Sequence, residues 1–113
     1  MTEKRWQAEC ELVRKYFPAF ETFECVRSGQ RIYIGFQGEI VCRKNLFRIC
    51  VLSPKDGYPL MEPRVRIRPT LDRGHLEADG ALSIFGEWIP SRGSFAKLIA
   101  TAIRYIWTFL NSV

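Results

Sequence analysis

Apolar positions recur at helical spacing near the two ends of the chain and in short β-rich runs between them. From Glu3 to Phe17 the residues Trp6, Cys10, Val13 and Phe17 form a stripe, widened by Leu12 and Tyr16, with Thr2 placed to cap the helix and Pro18 to stop it. From Phe23 to Ile67 the pattern changes to runs rich in β-branched and aromatic residues: Phe23–Arg27, Arg31–Val41, Leu46–Leu52 and Arg64–Arg68. Ser28-Gly29, Lys44-Asn45 and the stretch from Lys55 to Pro59 punctuate them. Connections this short predict a four-stranded antiparallel meander. Gly35 and Gly38 interrupt the second run, which predicts a bulge or close backbone packing there.

Residues 71–92 show no sustained period and are rich in Gly, Asp and Pro. Leu82, Ile84, Phe85, Trp88 and Ile89 nevertheless give this stretch apolar surface to pack down, which predicts an ordered functional loop. Ser94 then caps a second helix along the stripe Phe95, Leu98, Ile99, Ala102, Ile103, Ile106 and Leu110. Trp107 and Phe109 lie off that stripe, so this helix is expected either to be buried over more than half its circumference or to dock a partner. The order helix, meander, loop, helix is an α+β layer arrangement, with one sheet face covered and the other open. At 113 residues, the span 1–113 reads as one domain.

The net charge of +5 adds one question. Arg64, Arg66 and Arg68 alternate with Val65 and Ile67, so one side of that strand is cationic and the other apolar. Such a row is either a solvated sheet face or an electropositive patch for an acidic partner. Nothing matches a nucleic-acid module, and the aromatics read as core, so direct nucleic-acid binding is not expected. No apolar run approaches the roughly 20 residues of a membrane span, and the first residues lack the apolar core of a signal peptide, so the expected location is the cytoplasm. Cys10, Cys25, Cys42 and Cys50 stand singly, and with one histidine in the chain neither a metal site nor a cofactor is expected. They read as small hydrophobes; Cys50, on the strand side opposite Phe47, Ile49 and Val51, is the outside candidate for a reactive thiol.

The chemistry-bearing stretch runs from His75 through Asp79, Gly80, Leu82, Ser83 and Ile84 to Trp88 and Pro90. Together with Tyr58-Pro59 and the later run Pro63 to Ile67, it resembles the ubiquitin-conjugating-enzyme family, and the resemblance covers essentially the whole chain. In that family a Tyr-Pro and Pro-x-Val signature precedes a loop carrying His, then Gly-x-Leu-Cys-Leu, then Trp-x-Pro. Position 83 falls where the nucleophilic cysteine stands, and this chain has serine there. The run His75-Leu76-Glu77 replaces the eukaryotic His-Pro-Asn, and Ser83 comes eight residues after the histidine instead of ten. The resemblance stops short of the extra C-terminal helices of the eukaryotic enzymes. This compact form is similar to the bacterial conjugating-enzyme-like proteins of short type II CBASS anti-phage operons. The resemblance implies a cysteine thioester with a carboxyl-terminal glycine, with a cGAS-like nucleotidyltransferase or a ubiquitin-like protein tail as partner.

The chemistry explains the residue types. Thiolate is both a good nucleophile and a good leaving group near neutral pH, so a thioester can be loaded and then handed on. A serine ester would form slowly and persist. Donors for the developing oxyanion are worth roughly 3–4 kcal/mol each in a well-formed site; an ionised Glu77 cannot be one, which leaves backbone amides around 79–82 or a different mode of activation. His75 is either a general base or a residue that orders the loop by bonding backbone. Asp79-Gly80 is a turn, with Asp79 as an electrostatic neighbour for an attacking amine. Gly80, Leu82, Trp88 and Pro90 support the loop, Trp88 by burying its ring.

Three accounts of Ser83 stand open. It replaces a native cysteine, as in a change made to trap or disable turnover; or it is a natural feature of a non-catalytic binding scaffold; or the likeness is one of fold alone, which carries no function. The intact flanks Gly80, Leu82, Ile84, Trp88 and Pro90 favour the first, in which the Ser83 form is inactive or traps an ester.

Overall fold

A computed structural model of the chain describes residues 1–71 and 87–111. The helix α1 spans Glu3–Tyr16; the strands β1 (Glu21–Arg27), β2 (Arg31–Cys42), β3 (Asn45–Pro54) and β4 (Arg64–Arg68) follow; and α2 spans Phe95–Asn111. The strands form one antiparallel sheet in the order β1-β2-β3-β4, an α+β meander as the spacing predicts.

Local chemistry sets the boundaries. The Thr2 hydroxyl accepts the Arg5 amide at 3.1 Å and starts α1, while the Phe17 amide closes on the Val13 carbonyl at 2.7 Å just before Pro18. The Ser94 hydroxyl accepts the Lys97 amide at 3.1 Å and starts α2. A short 3-10 turn, Ser28–Gln30, joins β1 to β2, with Gly29 at φ 77, a conformation glycine adopts freely. The β2–β3 hairpin turns on Arg43 and Lys44, at φ 49 and φ 66, one residue earlier than the expected Lys44-Asn45. Two left-handed residues match the twist of the strands. Asn45 opens β3 instead, its side chain donating to the Arg43 carbonyl at 3.1 Å to brace the turn.

Of the two expectations for Gly35 and Gly38, close packing holds: the β2–β3 register runs unbroken from Tyr33 to Cys42. A Cβ on Gly35 would lie 1.8 Å from the Val51 carbonyl oxygen, and one on Gly38 would lie 2.6 Å from the Phe20 ring. The connection from β3 to β4 departs from the extended crossing that Pro59 and Pro63 suggest. The Tyr58–Pro59 bond is cis, and residues 55–60 turn, with the Gly57 and Tyr58 amides both donating to the Pro54 carbonyl.

Both helices pack on one side of the sheet. Phe36, Ile49, Val51 and Val65 point to that side and meet Phe95, Ile99, Ala102 and Ile106 of α2, with Val13 of α1 alongside. Trp6 and Phe95 bracket Phe36, ring centroids 5.2 and 5.3 Å away, and Tyr58 lies 4.6 Å from Phe95. Two details differ from the apolar pattern. Leu12 and Tyr16 are exposed, whereas Glu9, a polar position in that pattern, is only 3 % exposed. Along α2, Lys97, Ala100, Arg104, Trp107 and Thr108 all face solvent, so the helix buries a single side and Trp107 lies outside it.

Candidate functional site

His75, Asp79, Gly80, Leu82 and Ser83, with Glu77 and Ile84, lie outside the described residues. Trp88 and Pro90 lie within them, on residues 87–94, which join the candidate loop to α2. A turn closes this limb, the Arg92 and Gly93 amides donating to the Ile89 carbonyl at 2.9 and 2.8 Å.

Four side chains tie the limb down. The Trp88 indole N–H donates to the Pro59 carbonyl at 2.6 Å, and its ring lies 6.0 Å from that of Tyr58. Its other side meets Gly93, where an added Cβ would sit 2.3 Å from the ring, so only the bare backbone leaves room. From α1, the Arg5 guanidinium donates to the Gly93 carbonyl at 2.9 Å, to the Pro90 carbonyl at 3.5 Å and to the Tyr58 hydroxyl at 3.0 Å. It also pairs with Glu9 one turn along the helix, Nε to Oε2 at 2.8 Å. The Tyr58 hydroxyl donates to the same carboxylate oxygen. The other oxygen of Glu9 accepts the amide of Phe95, the first residue of α2, at 3.0 Å.

Glu9 is thus a buried carboxylate whose two oxygens accept three donors, the kind of pairing under which burying a carboxylate is tolerated. It also lies against the positive end of α2, whose first amides have no partner inside the helix. Burial and then the bond to Glu9 push the Tyr58 hydroxyl above its ordinary range, opposed by Arg5. Tyr58 therefore stays neutral and acts as a donor to Glu9. For Arg5, burial pulls down while the bonds to Glu9 and Tyr58 raise, with a net rise that keeps the guanidinium charged.

Beside the limb a groove of about 240 Å³ runs along α2, lined by Glu87, Trp88, Ile89, Arg92, Gly93 and Lys97 among others. A larger cavity of about 480 Å³ opens between the start of α1 and β1–β2, among Glu3, Trp6, Glu24 and Lys55; no motif residue lines it. Cys50 is half-buried; burial raises its thiol pKa, Arg27 and Arg66 oppose the rise, and Cys25 adds to it, with a net increase that reduces the thiolate at neutral pH.

Arg5, Glu9 and Gly93 are the contributors that sequence reasoning missed. The available signal was Glu9 itself, a carboxylate four residues from Arg5 and inside the apolar stripe Trp6-Cys10-Val13. Among the described residues no group of three His, Cys, Asp or Glu side chains is placed to hold a metal ion, and no helix is long and apolar enough to cross a membrane. Compared with known protein families and with curated proteins, the chain matches none of them.

Proposed function

We propose that this chain is a ubiquitin-conjugating-enzyme-like acyl carrier whose nucleophile position is 83, working in the cytoplasm on a cGAS-like nucleotidyltransferase in anti-phage defence. With cysteine at that position, the thiolate attacks the thioester carbonyl of a donor ending in glycine and expels the donor's thiolate. A lysine amine on the acceptor then attacks the new thioester, forms the amide and releases the thiolate of position 83. With Ser83, an alkoxide must serve as both attacking and leaving group, so the chain is inactive or holds a persistent ester.

One observation carries the reading. The two motif fragments that flank the candidate loop, Tyr58-Pro59 and Trp88 to Pro90, dock on each other through the Trp88–Pro59 bond and the shared contact with Arg5. Fragments so far apart in sequence meet where the resemblance needs a firm base for the loop. The groove along α2 adds room for an extended tail next to that base.

The test is Ser83→Cys, incubated with a cGAS-like nucleotidyltransferase and with a donor protein ending in glycine. The expected result is an adduct on position 83 that thiols remove, followed by modified or more active nucleotidyltransferase. If the Cys form never loads, the enzymatic reading fails. Ser83 itself favours a second reading, a non-catalytic scaffold; that reading expects the Ser and Cys forms to bind the same partner equally and neither to become covalently loaded.

A further inference from the structure

We propose that β1 is a self-pairing edge through which two copies of this chain join their sheets, with Glu24 on the two-fold axis and independently of any chemistry at position 83. β1 and β4 end the sheet, so each has one row of backbone N–H and C=O groups turned away from its neighbour. Among the described residues no strand pairs with the outer row of β1. Such an edge is a template for another strand unless its side chains prevent the pairing.

The two edges differ in what each would meet in a second copy of itself. β4 carries Arg64, Arg66 and Arg68 at alternate positions, so two antiparallel β4 strands would set arginine against arginine along one side. In β1, Glu21 and Arg27 stand at equal distances on either side of Glu24. Their partners in β2 are Gln37 and Arg31, on the side of the sheet away from the helices. Antiparallel pairing about Glu24 therefore places Glu21 of each copy opposite Arg27 of the other, and Phe23 opposite Cys25. On the helix side Thr22 comes opposite Val26, which is 66 % exposed in the single chain. Moving the axis to Cys25 would set Arg27 against Phe23 and leave Glu21 unanswered, and moving it to Phe23 would leave Arg27 unanswered.

The pairing matches charges that the single chain leaves open. Arg27 faces Arg31 across the β1–β2 ladder, a like-charge pair. Arg31 turns to Asp56 at 3.2 Å, whereas Arg27 and Glu21, both exposed, have no ion-pair partner among the described residues. Glu24, which the axis sets against its own copy, has its charge offset by Lys55 at 3.6 Å. A contact of one strand with itself is isologous, so it closes at two copies. Seven residues of edge are a small contact beside a standard interface, so the pair forms at high protein concentration.

Sedimentation equilibrium of the full chain under reducing conditions, over a hundredfold range of concentration, is the test. Expected is a reversible monomer–dimer equilibrium with no larger species. Glu21→Arg and Arg27→Glu each turn two attractive pairs into two repulsive ones, so each should weaken the dimer at least fivefold. The double change Glu21→Arg/Arg27→Glu restores both pairs with the charges exchanged and should return within twofold of the unchanged chain. Phe23→Cys gives a second reading, since mild oxidation should join position 23 of one copy to Cys25 of the other. A monomer throughout the range, a dimer that neither single change weakens, a double change as weak as the singles, or a Cys25–Cys25 crosslink in the unchanged chain would overturn the proposal.

Discussion

The carboxylate of Glu9 on α1 accepts the backbone amide of Phe95, the first residue of α2, at 3.0 Å. One buried side chain thereby caps a helix more than eighty residues away in sequence. Its second oxygen holds Arg5 and Tyr58, and Arg5 in turn holds Gly93 and Pro90. The start of α2 and the limb that leads to it are therefore fixed by α1, not by the sheet alone.

Removing the negative charge at Glu9 should be costly. In Glu9→Gln the amide nitrogen would face the donors of Arg5 and Tyr58, leaving a partly buried guanidinium without its counter-charge. Breaking one side of a buried pair costs about 3 kcal/mol or more. Urea unfolding should show a loss of that order. Because the harm comes from the orphaned partner, Arg5→Met/Glu9→Gln should lose less than the two single changes added together. A loss below about 1 kcal/mol for Glu9→Gln, or strict additivity in the double variant, would count against this account.

Gly93 should tolerate no side chain. The Cβ of Gly93→Ala would lie 2.3 Å from the Trp88 ring, so the ring must shift and its bond to the Pro59 carbonyl must lengthen or break. Overpacking of this kind costs about 1–3 kcal/mol. The Trp88 indole N–H resonance, assigned with Trp88→Phe, should move sharply in Gly93→Ala. An unmoved resonance with unchanged stability would sink the argument.

Much of the architecture was legible because it rests on local chemistry. Thr2, Pro18 and Ser94 act where their side chains allow them to, and the alternation of Arg64, Val65, Arg66, Ile67 and Arg68 reports the two sides of β4 directly. The β2–β3 turn shifted by one residue because left-handed Arg43 and Lys44 carry no propensity signal, whereas Asn45 carries a misleading one. Glu9 was illegible for a different reason. Periodicity assigns a carboxylate to solvent, and only partners brought in by the tertiary fold, Tyr58 and Phe95, make its burial possible. The same holds for Trp88: its place as an anchor was readable, but its partners Pro59 and Gly93 were not.

Cys50 should behave as a slow thiol. Burial raises its pKa and the nearby Arg27 and Arg66 only partly offset the rise, so little thiolate is present near neutral pH. Cys10 and Cys42 are raised as well, chiefly by burial. Iodoacetamide labelling of the native chain at pH 7.5, read peptide by peptide, should be at least tenfold slower at Cys50 than in urea. Equal rates would return Cys50 to candidacy as a nucleophile.

Tyr58 should make the fold sensitive to alkali. Its hydroxyl titrates near 10 in the unfolded chain and higher in the folded one, where burial and the bond to Glu9 hold the proton. Above pH 10, then, the unfolded chain carries fewer protons than the folded chain, and stability falls as pH rises. The stabilising contribution is fully present below about pH 10 and is lost as the pH climbs toward the folded-state value. Phenylalanine has no proton to lose, so Tyr58→Phe should start less stable, by about 1–2 kcal/mol for a lost bond to a charged group, but show a smaller further drop between pH 9 and pH 11. Urea midpoints for the two proteins at those pH values give the comparison. Parallel declines would mean that the alkaline loss arises elsewhere, since the remaining tyrosines and the thiols are common to both chains.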